Sequence, residues 1–374
     1  MTLIAGYKFK GGAFLQRDIL LTSESRCSHP EIKVPTYSGT NNIPFTDNRI
    51  AGLVQKIFII KEKFAVSCAG DLSVIKGAIH CIKAFMLHRM KISSEEIIHH
   101  LYREIGDEIN QISLIFININ NHLMEMGFIN SEKISINENI DLYVAGSGNS
   151  RAKESFSKFP PDFFDVPHDD VVAHGVCTSL SQFAEYILKE FDNKQYSENF
   201  QDYLAAVLKL AAFFDGKIQK ISNILYSYSE AYLDEESYIQ IEPPSFILKS
   251  QYVDNYLLIR SAEVYLDKKH HKINNDRICI IPPLDANEGT RSNDNIDMVN
   301  FAEAEFVCYF VRFKFGDNNY IIFPFIKKYS SSVEFIKSGF TFLNVDGYLF
   351  TNFSEKFRGE ISERIMYLMN SKKK

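Results

Sequence analysis

Apolar residues recur with two different periods along this chain, and the changes of period mark the elements. Leu3–Phe9 and Ala13–Leu21 read as apolar, β-branched strands joined at Gly11-Gly12, a hairpin signal. Residues 24–50 break the pattern. Cys27, Pro30, Pro35, Gly39, Asn41, Asn42 and Pro44 predict a long irregular loop, of a length that in compact domains usually serves function. Two strands follow, Gln55–Ile60 and Phe64–Cys68, ending at Ala69-Gly70. From Asp71 the spacing of Leu72, Ile75, Ile79, Ile82 and Met86 is helical, with Asp71 or Ser73 as cap. Ser93-Ser94-Glu95-Glu96 is a capping arrangement that opens a second helix through Ile97, Leu101 and Ile105.

Strand patterns return at Ser113–Ile119, Leu123–Phe128 and Ile140–Ala145. A short helix is expected from Ser150, an insertion around Pro160, Pro161 and Pro167, and helices over Ser179–Asp192 and Glu198–Phe214. Strand character resumes at Tyr238–Ile241, and Pro243-Pro244 reads as a domain boundary. The predicted organisation is a domain over 2–242, with insertions near 24–50 and 155–200, followed by a separate α+β domain over 245–374. The latter carries aromatic strands over Glu305–Phe315 and Tyr320–Phe325 and ends in an amphipathic helix, Ser354–Met369. Phe306, Tyr309, Phe310, Phe313 and Phe315 are expected to be its core. Strands, helices, strands and helices in that order predict stacked sheets with helical layers rather than alternating βαβ units.

Composition narrows the function classes. Of 374 residues 45% are hydrophobic and 24% charged, enough for a packed core, and the net charge is -6. The only dense basic run is Lys372–Lys374, so no basic face for nucleic acid is expected. No apolar run reaches membrane-spanning length and no leader pattern precedes Leu3, so no membrane partner and a cytoplasmic location are expected. The six cysteines form no CxxC pair, which fits free thiols in a reducing compartment. Adjacent histidines on a helix point to different faces, and no carboxylate or cysteine pattern of metal-ligand spacing surrounds His99-His100 or His270-His271, so neither a metal nor a cofactor is expected.

Five elements in order carry a family resemblance: the start Thr2 to Gly12, Asp18, Lys56 opening an alternating strand, Ala69-Gly70, and the strand from Asp141 into Gly146-Ser147-Gly148. Together they resemble the proteasome β-subunit family of N-terminal-nucleophile (Ntn) hydrolases and its bacterial relatives. The resemblance covers residues 2–150 well, 150–242 loosely, and the rest not at all. It implies an α+β fold, a four-layer αββα sandwich with the C-terminal α+β domain added. It also implies assembly into a homo-oligomer, with a regulatory partner.

For chemistry, the resemblance implies a threonine-type hydrolase acting on a peptide or small amide. Removal of Met1 would leave Thr2 as nucleophile, with its own α-amine as base. That amine has an ordinary pKa of roughly 7.7–8.0, and a neighbouring ammonium lowers it. Lys56 is assigned that part, Asp18 holds Lys56, the Gly70 N–H faces the oxyanion, and Ser147 orients the amine. The matching pocket positions are Leu21, Val54, Phe58 and Cys68, all apolar, which implies a preference for apolar side chains. The chain departs from the pattern in three places. Ile19-Leu20 follows Asp18 where the family has Ser-Arg. Ser229 is the candidate for a bracing serine, but Tyr226 stands where its aspartate is expected. Asp215 is the substitute considered for that aspartate, and the third departure is the insertions at 24–50 and 155–200 with the added C-terminal domain, which stand against closed ring stacking. The alternative reading is a catalytically inactive proteasome-like scaffold or assembly protein. A third is a hydrolase of short acyl amides whose pocket the 24–50 loop narrows.

Overall fold

A computed structural model describes residues 3–9, 12–18, 20–25, 48–55, 57–89, 91–120, 123–137, 140–146, 149–158, 166–193, 208–267, 270–284, 291–293, 298–316 and 319–371. The N-terminal hairpin forms as its pattern predicts, with β1 (Leu3–Phe9) antiparallel to β2 (Gly12–Asp18) and Gly6 opposite Leu15. β3 (Leu20–Ser25) and β4 (Asn48–Val54) make a separate two-stranded ribbon at the two ends of the predicted loop. β5 (Ile57–Ile60), β6 (Phe64–Gly70), β7 (Ile112–Asn120) and β8 (Leu123–Ile129) form a four-stranded antiparallel sheet. Two helices lie between β6 and β7: α1 (Leu72–Leu87), capped by Asp71, and α2 (Ser94–Ile105), with a complete Ser93/Glu96 capping box.

A second, six-stranded sheet has the order β12-β11-β2-β1-β10-β9. β9 is Glu132–Asn137, β10 is Ile140–Gly146, β11 is Leu208–Phe214 and β12 is Lys217–Lys220. Two further helices, α3 (Asn149–Lys158) and α4 (Val171–Asn193), come between β10 and β11. Where a helix is expected to end at Phe214, residues 208–214 are strand. They pair with β2 on one side and β12 on the other. Alternate residues of that run enter different cores, Leu210 and Ala212 on one face and Ala211 and Phe213 on the other. A strand buried on both faces is apolar throughout, and its alanines make it look helical.

The remaining strands build the largest sheet, ten strands with the main order β20-β19-β13-β15-β16-β17-β22-β21. They are β13 (Ile224–Leu233), β14 (Ile239–Ile241), β15 (Phe246–Val253), β16 (Tyr256–Asp267), β17 (His270–Ile281), β18 (Arg291–Asn293), β19 (Phe306–Lys314), β20 (Tyr320–Lys328), β21 (Phe340–Val345) and β22 (Tyr348–Phe353). The short helix α5 (Ser332–Ser338) and the C-terminal α6 (Glu355–Ser371) complete the chain. Among the described pairings β13 with β19 is parallel and the rest are antiparallel. The aromatic strand β19 is core on both faces. Phe306 and Phe310 pack toward α4, while Tyr309 and Phe313 pack toward α6.

The expected four-layer αββα sandwich with an appended α+β domain is therefore corrected. Among the described residues the structure is mostly β, 50% strand against 31% helix, in three largely antiparallel sheets. Pro243-Pro244 lie between β14 and β15 of one sheet, so a boundary there would cut that sheet. The physical reason lies in α4. One face meets Tyr7, Phe14, Leu210 and Ala212 of the six-stranded sheet, and the same core takes in Tyr226, Tyr228, Phe246 and Phe310 of the ten-stranded sheet. The helix is an inner layer between two sheets, not an outer one.

The contact of α4 with the six-stranded sheet is close. A Cβ on Gly175 would stand 2.1 Å from the Phe14 ring, and the Tyr7 hydroxyl donates to the Gly175 carbonyl at 2.7 Å. Gly175→Ala must push Phe14 or the helix aside. It is expected to destabilise the protein by about 1–3 kcal/mol, as overpacked cores do. The urea unfolding midpoint reads this, and an unchanged midpoint would show that α4 does not lie this close to β2.

Candidate functional site

Pairing register brings Asp18 and the described neighbours of Thr2 and Ser147 to one end of the six-stranded sheet. Leu3 of β1 lies opposite Gly146 of β10, and Ile4 lies opposite Arg17 of β2. The backbone that follows Thr2 thus runs between the residue before Ser147 and the end of β2 at Asp18. Thr2, Lys56 and Ser147 themselves lie outside the described residues, and of Asp18 and Leu21 the strand backbone alone is described. Gln55 and Ile57 flank Lys56; Ile57 lies opposite Ser67, on the strand that ends three residues later at Gly70. Ile4 and Ala69, the neighbours of these ends, belong to the one core between the two sheets.

Gly70 is the described site residue with the tightest constraint. Its φ is +113°, and a Cβ there would sit 2.2 Å from the Gln111 carbonyl oxygen. That same oxygen accepts the Asp71 N–H at 3.1 Å, and the Asp71 carboxylate then accepts from the Ser73 and Val74 N–H groups to start α1. The turn at Gly70 thus redirects the chain from β6 into α1, and no side chain is tolerated at the corner.

The assigned pocket positions divide. Leu21 lies opposite Leu53 and Val54 opposite Leu20 in the β3/β4 ribbon. Phe58 and Cys68 point into the core beneath α1 and α2, where Val54 packs against them. Cys68 is 0% exposed, so it is a packing residue of that core and not the wall of an open pocket. Phe58 borders a cleft of about 440 Å³.

The two proposed braces are separated from this end of the sheet. Ser229 lies in β13 of the ten-stranded sheet, where its Oγ accepts the buried Tyr309 hydroxyl at 2.6 Å. Tyr226 is 1% exposed within the α4 core. Asp215 follows β11, whose other end, Leu208, lies opposite Asp18. At about 3.3 Å per residue it sits roughly 20 Å along the sheet from the Asp18 end. Asp215 and Ser229 thus lie away from the start of β1, whereas Tyr226 belongs to the same core as Leu3.

A residue that the sequence analysis did not single out ties this region to the rest. Gln55, buried beside Lys56 in sequence, donates through Nε2 to the carbonyls of Asn255 (2.9 Å) and Ile281 (2.7 Å). Its Oε1 accepts from Lys220 Nζ at 3.2 Å. A lone glutamine between two strands carries no pattern that reveals such long-range partners. Among the described residues no group of three His, Cys, Asp or Glu side chains could hold a metal ion, and no helix is long and apolar enough to cross a membrane. Comparison with protein-family models and with curated proteins finds no match for this chain.

Replacing Gly70 with alanine tests the corner. Left-handed strain and the clash with Gln111 together predict a loss of about 1–3 kcal/mol or more. Circular dichroism melting would show a lower midpoint; a wild-type midpoint would mean that the β6–α1 turn differs from the one described.

Proposed function

We propose that the chain is an amide-bond hydrolase of the threonine type, with Thr2 as nucleophile after loss of Met1. The observation that carries this reading is the register that runs the start of β1 between the ends of β2 and β10. A chain terminus in a paired central strand is held far more firmly than a free one, as a terminal nucleophile requires. The Thr2 hydroxyl attacks the amide carbonyl while the α-amine takes its proton and passes it to the leaving amine. Water then hydrolyses the acyl-enzyme ester with the same amine as base. Asp18, Lys56, Gly70 and Ser147 keep the parts that the family resemblance assigns them. The substrate is a peptide or a short acyl amide.

The second reading, a non-catalytic scaffold, is favoured by one observation. Asp215 and Ser229, the candidates for bracing Thr2, lie away from it, at the far end of one sheet and in another.

Intact mass spectrometry before and after treatment with an epoxyketone or β-lactone probe separates the two. Hydrolase chemistry predicts a Met-less chain that gains one adduct, and no adduct on Thr2→Ala. Retained Met1, or a Met-less chain inert to both probes, supports the scaffold.

A further inference from the structure

The cleft of about 440 Å³ lies where five segments of the chain meet. Phe58 and Lys61 come from β5 and its turn, Lys83 from α1, Lys220 from β12, Asn255 from the β15–β16 turn, and Pro283 follows β17. Its size falls within the usual range for small-molecule sites, about 300–1,000 Å³. Its lining holds three lysines against one carboxylate, that of the exposed Glu62. Lys61 is fixed at the rim, its ammonium donating to the carbonyls of Met86 and Leu87 that close α1.

Behind Lys220 stands a second, buried lysine. Lys209 of β11 is 4% exposed, and among the described residues no carboxylate or carbonyl receives its ammonium in a hydrogen bond or ion pair. Its ammonium lies 5.6 Å from the centre of the Tyr252 ring, and that of Lys220 lies 4.6 Å from the same centre. The Tyr252 backbone is pinned by its N–H donating to Ser222 Oγ at 2.9 Å. Burial holds the Lys209 amine well below the ordinary lysine range, and the charge of Lys220 pushes it the same way. Lys220, half-buried at the cleft, thus stands beside a buried amine that shares its tyrosine ring, and each disfavours the charged form of the other.

We propose that this cleft is an oxyanion-binding site, in which a small ligand bearing a carboxylate or phosphate group docks on Lys220, with Lys61 and Lys83 at the rim and Lys209 behind. The ligand supplies the negative charge that the described protein groups around Lys209 do not. Gln55 fixes Lys220 for the purpose, since its own amide is locked on the Asn255 and Ile281 carbonyls. The site is built only when the ten-stranded sheet is docked, because Asn255 and Pro283 belong to that sheet's connections. It does not depend on Thr2 being a nucleophile.

Isothermal titration of the full chain with inorganic phosphate and, separately, with citrate tests this, at ionic strength held constant with sodium chloride. Saturable one-to-one binding of either anion is expected, and which one binds names the source of the oxyanion. Losing one charge-assisted contact in Lys220→Met is expected to weaken binding about tenfold or more, whereas Lys220→Arg keeps it. Lys209→Met is also expected to weaken binding while its thermal midpoint stays at or above that of the parent, because a buried cation has been removed. No saturable binding of either anion at matched ionic strength would overturn the proposal. So would binding that Lys220→Met leaves unchanged in a folded variant.

Discussion

The burial of helix α4 between two sheets is the constraint on which the rest of the molecule depends. Tyr7, fully buried in β1, reaches the helix with its hydroxyl 2.6 Å from Ser179 Oγ while donating to Gly175. A buried phenol left without partners costs about 1–3 kcal/mol, so these bonds fix both the height and the rotation of the helix over the sheet. Gly175 then permits the close approach to Phe14. On the other side the helix meets β19 and β20, and a single apolar core runs through all three layers. The ten-stranded sheet is accordingly part of the same packed body, because it covers a helix face that would otherwise meet water.

That arrangement also positions chemistry. With α4 inside, the turns of the ten-stranded sheet come back over the four-stranded one, and Gln55 is where they are joined by hydrogen bonds. The start of β1 and the lysine-lined cleft are thus two distinct places. The first is a sheet end formed by β1, β2 and β10; the second is an inter-sheet cleft whose walls come from β5, α1, β12 and the connections of the large sheet.

Much of the local structure was legible in the residues. The Asp71 cap, the Ser93/Glu96 capping box and the helix ended by Gly106 follow from backbone groups that only nearby side chains can satisfy. The N-terminal hairpin and the aromatic strand β19 have period-two or fully apolar patterns with unambiguous flanks. Leu208–Phe214 was not legible, because a strand buried on both faces has the same apolarity as a buried helix. Of the candidate site, Gly70 was legible as a strand-to-helix corner. Cys68 stands in an apolar run, as a buried thiol does, and the fold seats it in the core beneath α1.

The sequence by itself determined where helices cap, where strands alternate, and that the chain buries a large apolar core, since these depend on contacts within a few residues. Only the tertiary structure decided that α4 is an inner layer and that Pro243-Pro244 lie between two strands of one sheet. It alone placed Asp215 beyond the end of β11 that lies away from Asp18, and Lys209 beside Lys220 on one tyrosine. Each of these joins residues far apart in the chain. Their pairing is set by register and by which apolar face finds which partner, and no local pattern encodes that.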